Sequence, residues 1–296
     1  LAMAQATAIR RSLKKKFPRF QFLLVVIKTT GDNFQGVEFF KKNNIGVFTK
    51  ALEDKLLSHE IDIAVHSLKD LPTELPKGLA LCAFPRRLDP SDVLLSKKRW
   101  RFSELPTGAS VGTGSPRRKR QLLRLRPDLD LCEIRGNLDT RVKRVIHDKK
   151  YDAIVVAKAG LLRIKKYLKY ARAIPSDKLL PAVGQAALGL EVRSNDKETS
   201  AIVKTLNHGG TEKAVCAERE FLKTLKGGCR VPVGIRSKIK GSKIHLKAAV
   251  FSPNSSDAVE GQITKSVSQY NQAGTELARQ LLRKGAGKFL KEARNA

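Results

Sequence analysis

The chain has 296 residues, 41% of them hydrophobic, with 58 Lys and Arg against 28 Asp and Glu and a formal charge of +30. That length gives room for two or three domains with cores of their own, and no apolar run approaches the ~20 residues that a membrane helix needs. The charge implies something anionic: a polycarboxylate substrate, nucleic acid or an acidic partner surface.

Apolar periodicity predicts a helix from the start of the chain to Lys16, a strand over 20–28, a loop over 29–44 and a helix over 47–58. The chain opens inside the first helix, so a preceding N-terminal piece is expected, with any organelle address on it. Ile61, Ile63 and Val65 then alternate as a half-buried strand, and Pro72 and Pro76 forbid its continuation. At its end stand His66, Ser67, Lys69 and Asp70. Asp70 is expected at the mouth of a cleft, where a carboxylate beside Lys69 can stabilise a cation or move a proton. A solvated loop ion pair is the plainer alternative, and His66 reads as a hydrogen-bonding structural residue.

In GTGSPRR (112–118), Ser115 can cap a helix whose first position is Pro116, so that free N–H groups, Arg117 and Arg118 converge on one spot. This is an anion site without the Gly-Lys-Ser/Thr ending of a nucleotide loop. RGNLDTR (135–141) repeats the theme, with Asp139 or Thr140 as cap and Arg135 and Arg141 available for bidentate carboxylate contacts. A strand over 151–157 and a glycine precede Arg163. Five arginines thus attach at the ends of elements, where a shared cleft can collect them; scattered surface arginines are the alternative.

From Thr211 a helix carries Val215, Phe221 and Leu225 on one stripe and stops at Gly227. Cys229 follows on a turn, where Arg230 can lower its thiol pKa. Taken alone, it reads more readily as an inert cysteine. Cys82, Cys132 and Cys216 lie in apolar segments, and no cysteine pair or histidine has zinc-site spacing, so disulfides and metal are not expected and a reducing, intracellular compartment is. A strand over 245–251 and a basic amphipathic helix from Thr275 complete an α/β pattern.

Seven motifs in order carry a resemblance: IDIAVHSLKDLPTELP (61–76), GTGSPRR, RGNLDTR, AKAGLLR (157–163), LLPAVGQAALGLEVR (179–193), AERE (217–220) and GGCRVPVG (227–234). Together they resemble the porphobilinogen deaminase (hydroxymethylbilane synthase) family over most of the chain. The resemblance implies three α/β domains, at 1–90 with 180–207, at 91–179 and at 208–296. The first two would look like the halves of a periplasmic binding protein with a ligand cleft between them. It also implies that four porphobilinogen units are deaminated and joined into a linear tetrapyrrole on a dipyrromethane primer held covalently by Cys229. Asp70 would be catalytic, and Ser67, Lys69, Thr113, Ser115, Arg117, Arg118, Arg135, Arg141 and Arg163 would hold cofactor and substrate carboxylates. Such an enzyme would be a monomer in the cytoplasm, a mitochondrion or a plastid.

The chain departs from the family pattern at Ile45, where a lysine is usual, at Gly114 and Pro116, and in Gly184-Gln185-Ala186-Ala187, where the third residue is usually glycine. Two active-site positions of the family fall on a strand before Leu1. These departures and the surplus charge support an alternative: a non-catalytic relative recruited to RNA or to a ribonucleoprotein such as an organellar ribosome, with 10–16 and 164–172 facing phosphate.

Overall fold

Gln5, Ile9 and Leu13 recur every four residues and form the buried stripe of helix α1 (Ala2–Lys16), whose last turn holds Lys14, Lys15 and Lys16 where cations suit the helix dipole. The structure, a computed structural model, describes residues 1–27, 49–227 and 231–295. It divides into two units, one of Leu1–Arg87 with Ala187–Lys213 and one of Leu88–Ala186 with Ala214–Ala296.

In the first unit, α1 is followed by α2 (Lys50–Leu57), β1 (Ala64–Ser67) and β2 (Leu79–Ala83). The chain then enters the second unit with β3 (Asp92–Ser96), β4 (Ser110–Gly112), α3 (Pro116–Leu125), β5 (Asp130–Cys132), α4 (Leu138–Ile146), β6 (Ala153–Ala157), α5 (Lys158–Ile164) and β7 (Ala171–Ile174). It returns to the first unit with β8 (Leu188–Arg193), which lies between β1 and β2 and pairs antiparallel with both. A side chain at Gly189 would strike Leu81 and Leu68, so the centre of this sheet needs glycine. Helix α6 (Lys197–Lys204), capped by Asp196, closes over Ala83, Leu190 and Val192 with its buried Val203.

In the second unit, the sheet runs in the order β5-β4-β6-β3-β7. Its two central strands are apolar on both faces: Val93, Leu95, Ile154 and Val156 pack towards α4 and α5, and Leu94, Ala153 and Val155 towards Leu122 of α3. Buried strands of this kind need cover on each side, and the helices supply it. After α7 (Gly209–Thr224), an antiparallel sheet of β9 (Val233–Lys240), β10 (Lys243–Phe251) and β11 (Ala258–Ser266) packs against α8 (Tyr270–Leu281) and α9 (Gly287–Asn295). The fold is α/β. Among the described residues, no helix is long and apolar enough to cross a membrane.

Several expectations shift. Residues 21–27 form no strand: they join no ladder, and Leu23, Val25 and Val26 are 75%, 60% and 68% exposed. β-branched composition alone does not make a strand without a neighbour to pair with. The strand expected over 61–65 starts at Ala64, and its buried side is Ala64 and His66 rather than the isoleucines. The basic tail helix is two helices, broken at Gly285 with φ 97°. After α7 the left-handed residue is Lys226, while Gly227 N–H donates to Leu222 O. The expected loop 29–44 and Ile45 lie outside the described residues.

Candidate active site

In the first unit β1 runs directly into a single 3₁₀ turn, Leu68–Asp70. Leu68 and Leu71 are buried on either side, and Leu68 N–H donates to Ala187 O at 3.1 Å, so the turn is anchored by its apolar residues. Asp70 and Lys69 are left exposed. Among the described residues nothing hydrogen-bonds or ion-pairs with the Asp70 carboxylate. The Ser67 hydroxyl accepts from Gln5 Nε2 at 2.8 Å, which ties it to α1 and leaves its own proton free to donate.

Beneath this turn His66 Nε2 lies 2.8 Å from Glu191 Oε2, both side chains being buried. Burial and the neighbouring Glu191 push the Glu53 carboxyl above the usual range. Glu191 Oε1 is buried and has no hydrogen-bond partner among the described residues.

The second unit holds the arginines. Ser115 caps α3, accepting from Arg118 N–H, with Pro116 at the first helical position where no N–H is missed. Thr113 is buried, and its hydroxyl accepts from Ser115 N–H at 3.3 Å. A side chain at Gly114 would come 2.9 Å from Ile134 O, so glycine there suits the close passage of β4 past that carbonyl. Both departures from the family motif are therefore accommodated locally.

Arg117 and Arg118 do not point to an open anion site. Both are buried and converge on Asp92, which is fully buried at the start of β3. Arg117 reaches Asp92 Oδ2 at 2.9 Å and Leu180 O at 2.6 Å; Arg118 grips Oδ1 through Nε at 3.1 Å and Nη2 at 2.8 Å. Gln185 Nε2 donates to the same Oδ1 at 3.0 Å and to Pro90 O at 2.6 Å. Burial alone would raise the Asp92 carboxyl, but Arg117, Arg118 and their hydrogen bonds outweigh it and hold it at about 2. Asp92 was not singled out from sequence. The one signal is an acid at the head of an apolar strand whose every position is buried.

The other arginines are only partly satisfied by protein. Arg141, in the first turn of α4, donates to Gly136 O at 2.7 Å, and burial, then Arg118 and Arg144, lower its pKa. Arg163, in the last turn of α5, donates to Ala186 O at 2.7 Å, and burial pulls it down to about 10. Arg135 pairs with Glu133 at 2.6 Å. The cap of α4 is Asn137, not Asp139 or Thr140: its side chain accepts from Thr140 N–H at 2.9 Å. Thr113, Ser115, Arg117 and Arg118 thus gather at one helix start, and Arg141 joins them electrostatically. Asp70, Ser67 and Lys69 belong to the other unit, and Cys229 lies outside the described residues.

Two family models match the chain: "Porphobilinogen deaminase, dipyromethane cofactor binding domain" over residues 1–201 and "Porphobilinogen deaminase, C-terminal domain" over 212–283. The chain belongs to the porphobilinogen deaminase family. It is 43% identical over 300 residues to the porphobilinogen deaminase of Chlorobium luteolum, covering 100% of this chain and 96% of that one. It is 42% identical over 294 residues to that of Carboxydothermus hydrogenoformans, covering 99% and 94%. Solved structures to which it is similar include the periplasmic VFT2 domain of Bordetella pertussis BvgS, with 16% identity, 68% of this chain, 75% of that chain and a TM-score of 0.38. The extracellular-binding protein ytmK of Bacillus subtilis matches at 11% identity over 74% of this chain and 86% of that chain, with a TM-score of 0.40.

One departure from the deaminase pattern is strained. Ala186 sits at φ 71°, in the left-handed region where an L side chain costs roughly 1–2 kcal/mol. Replacing Ala186 by glycine is expected to stabilise the protein by about 0.5–1 kcal/mol, the relief of strain exceeding glycine's extra unfolded-state entropy. Thermal unfolding checks this, with an expected rise of roughly 1–4 °C.

Proposed function

We propose that Asp70 and the arginines of the second unit are the working residues of a hydroxymethylbilane synthase. The activity is that of the family: a transferase of tetrapyrrole biosynthesis that deaminates porphobilinogen and joins four units into a linear tetrapyrrole. The match to the dipyromethane cofactor binding domain over 1–201 carries this reading. The alternative, a relative without catalysis, is set aside: its motif changes at Gly114 and Pro116 are accommodated locally, and Asp70, Cys229 and all five arginines are present.

The residues fit a cofactor rich in carboxylates. Among the described residues the Arg141 and Arg163 guanidiniums, both partly buried, donate to Gly136 O and Ala186 O, and burial lowers the pKa of each. A carboxylate there would receive planar, bidentate bonds that lysine cannot supply. Arg117 and Arg118, both held by Asp92, contribute positive charge near the site rather than open guanidinium forks, and Arg135, Thr113, Ser115, Ser67 and Lys69 complete the proposed set. Cys229 is the proposed thioether anchor. When bound, dipyrromethane supplies the nucleophilic pyrrole carbon that primes chain growth. Asp70, exposed and without a partner among the described residues, would pair with pyrrole N–H groups as positive charge develops and take up a proton.

The proposed division into domains at 1–90 with 180–207, 91–179 and 208–296 is supported by the return of the chain to the first unit at Ala187. We also assign the protein, as a member of this family, as a monomer in the cytoplasm or an organelle, and its widely spaced cysteines support a reducing compartment. Intact mass and a porphobilinogen assay test the reading together. A covalent dipyrromethane on Cys229 and a product that oxidises to uroporphyrin are expected; an unmodified mass with no turnover would refute it.

A further inference from the structure

The outer face of the β9–β11 sheet is built against its own electrostatics. Residues directly opposite in an antiparallel pair have Cβ atoms about 4.5–5.5 Å apart, and like charges there repel. Arg236 stands opposite Lys247 and Lys240 opposite Lys243, while Lys238 faces the imidazole of His245. Strand alternation puts all of them on the side away from Ile235, Ile244 and Leu246, which are buried in the core. None of the five Lys and Arg side chains makes an ion pair with a described residue. The three strands hold one acid, Glu260, and it is paired with Arg124 at 2.5 Å.

The same face changes character along its length. At one end Gly234, Ala249 and Phe251 are covered: Leu180 packs on Ala249 and Phe251, and a Cβ on Gly234 would lie 2.6 Å from that of Leu180. At the other end the face is open, with a shallow groove of about 470 Å³ bounded by Arg236, Lys238, Lys247 and the polar Gln262 and Thr264 of β11. The face is packed where it is apolar and open where it is basic.

We propose that the open end binds the phosphate backbone of single-stranded nucleic acid, without regard to sequence, as a property separate from the deaminase chemistry. Successive cations on a strand are spaced about 6.4–6.8 Å apart, in neighbouring rows about 4.8 Å apart. A sugar–phosphate chain, with one charge per nucleotide, can follow such a repeat and release counterions as it does so. Gln262 and Thr264 add neutral donors of the kind that contact phosphate oxygens. A protein partner fits less well, because interface cores are depleted of lysine and rest on aromatic anchors, and the only Phe, Tyr or Trp in these strands is the buried Phe251. A membrane fits less well for want of an exposed apolar edge to insert. The lack of aromatic platforms also leaves no stacking on bases.

The test uses the full chain and a labelled oligouridylate of about 16 nucleotides, titrated from about 50 to about 200 mM salt. The variant K238Q/K243Q/K247Q is compared with R10Q/R11Q/K14Q, which removes equal charge from α1. The sheet variant is expected to lose at least about tenfold in affinity and to flatten the plot of log K against log salt by about 2, three contacts at ~0.7 each. The α1 variant, which leaves every cation of the sheet in place, should change affinity by less than about twofold. Melting temperature of the sheet variant should be unchanged or raised, since repelling pairs are removed, and porphobilinogen turnover should match the parent, which separates this test from that of the catalytic reading. No binding by the parent, or equal losses in both variants, would overturn the proposal. So would displacement of the oligonucleotide at equal charge concentration by polyglutamate or by phosphatidylserine vesicles, which would assign the face to an acidic protein or a lipid surface.

Discussion

Asp92→Asn is expected to destabilise the protein by about 3–5 kcal/mol, because it leaves two buried guanidiniums facing an amide that cannot compensate their charge. The effect should exceed that of any surface ion pair in the chain, where values of about 0–1 kcal/mol are usual. It has a pH signature. The folded Asp92 carboxyl titrates at about 2, below the ~3.9 of an unfolded aspartate. Its contribution, on the order of 2–3 kcal/mol, is therefore fully present above pH ~4 and is lost as the pH falls through about 2. Urea unfolding of parent and variant at a series of acidic pH values measures both, and the variant should lack this part of the acid loss. Where the variant folds, loss of the Arg117 and Arg118 placement should also prevent cofactor loading, read as an unmodified mass. A variant as stable and as fully loaded as the parent would show that Asp92 does not organise the arginines.

Asp70→Asn is expected to do the opposite: to keep the fold and the covalent cofactor while turnover falls by about 100-fold or more. The residue is exposed and makes no bond to a described residue, so its amide is expected to cost the fold little. What is lost is a full negative charge opposite a developing cation. Intact mass, melting temperature and single-turnover assay separate the three effects. Near-normal turnover would remove Asp70 from the chemistry.

The two variants mark what could be read from residues alone. Ser115 and Pro116 announce a helix start through local chemistry, and the structure has the cap and the proline where the motif puts them. The α/β alternation was legible for the same reason, since burial periods are local. Asp92 was not, because its role depends on α3 bringing Arg117 and Arg118 to the start of β3, a pairing 25 and 26 residues apart in the chain. The segment 21–27 misled for a related reason: strand-like residues state a preference, and only a partner makes a ladder. Asn137 was missed as a cap because three polar residues in RGNLDTR can all cap, and the choice lies in where the turn at Gly136, with φ 105°, releases the chain.

The buried His66–Glu191 contact restricts how this protein can drift in sequence. Its two members sit on paired strands, and losing one alone would leave the other's polar group sealed in the sheet, a cost of roughly 1–3 kcal/mol. Their replacement is therefore tolerable chiefly as a double change to apolar residues of similar volume, passing through an intermediate that is less fit than either end. Four residues beyond His66 stands Asp70, so each such intermediate would also disturb the turn on which the carboxylate is mounted. An exposed carboxylate is in this way held to one evolutionary path by a pair that never sees solvent.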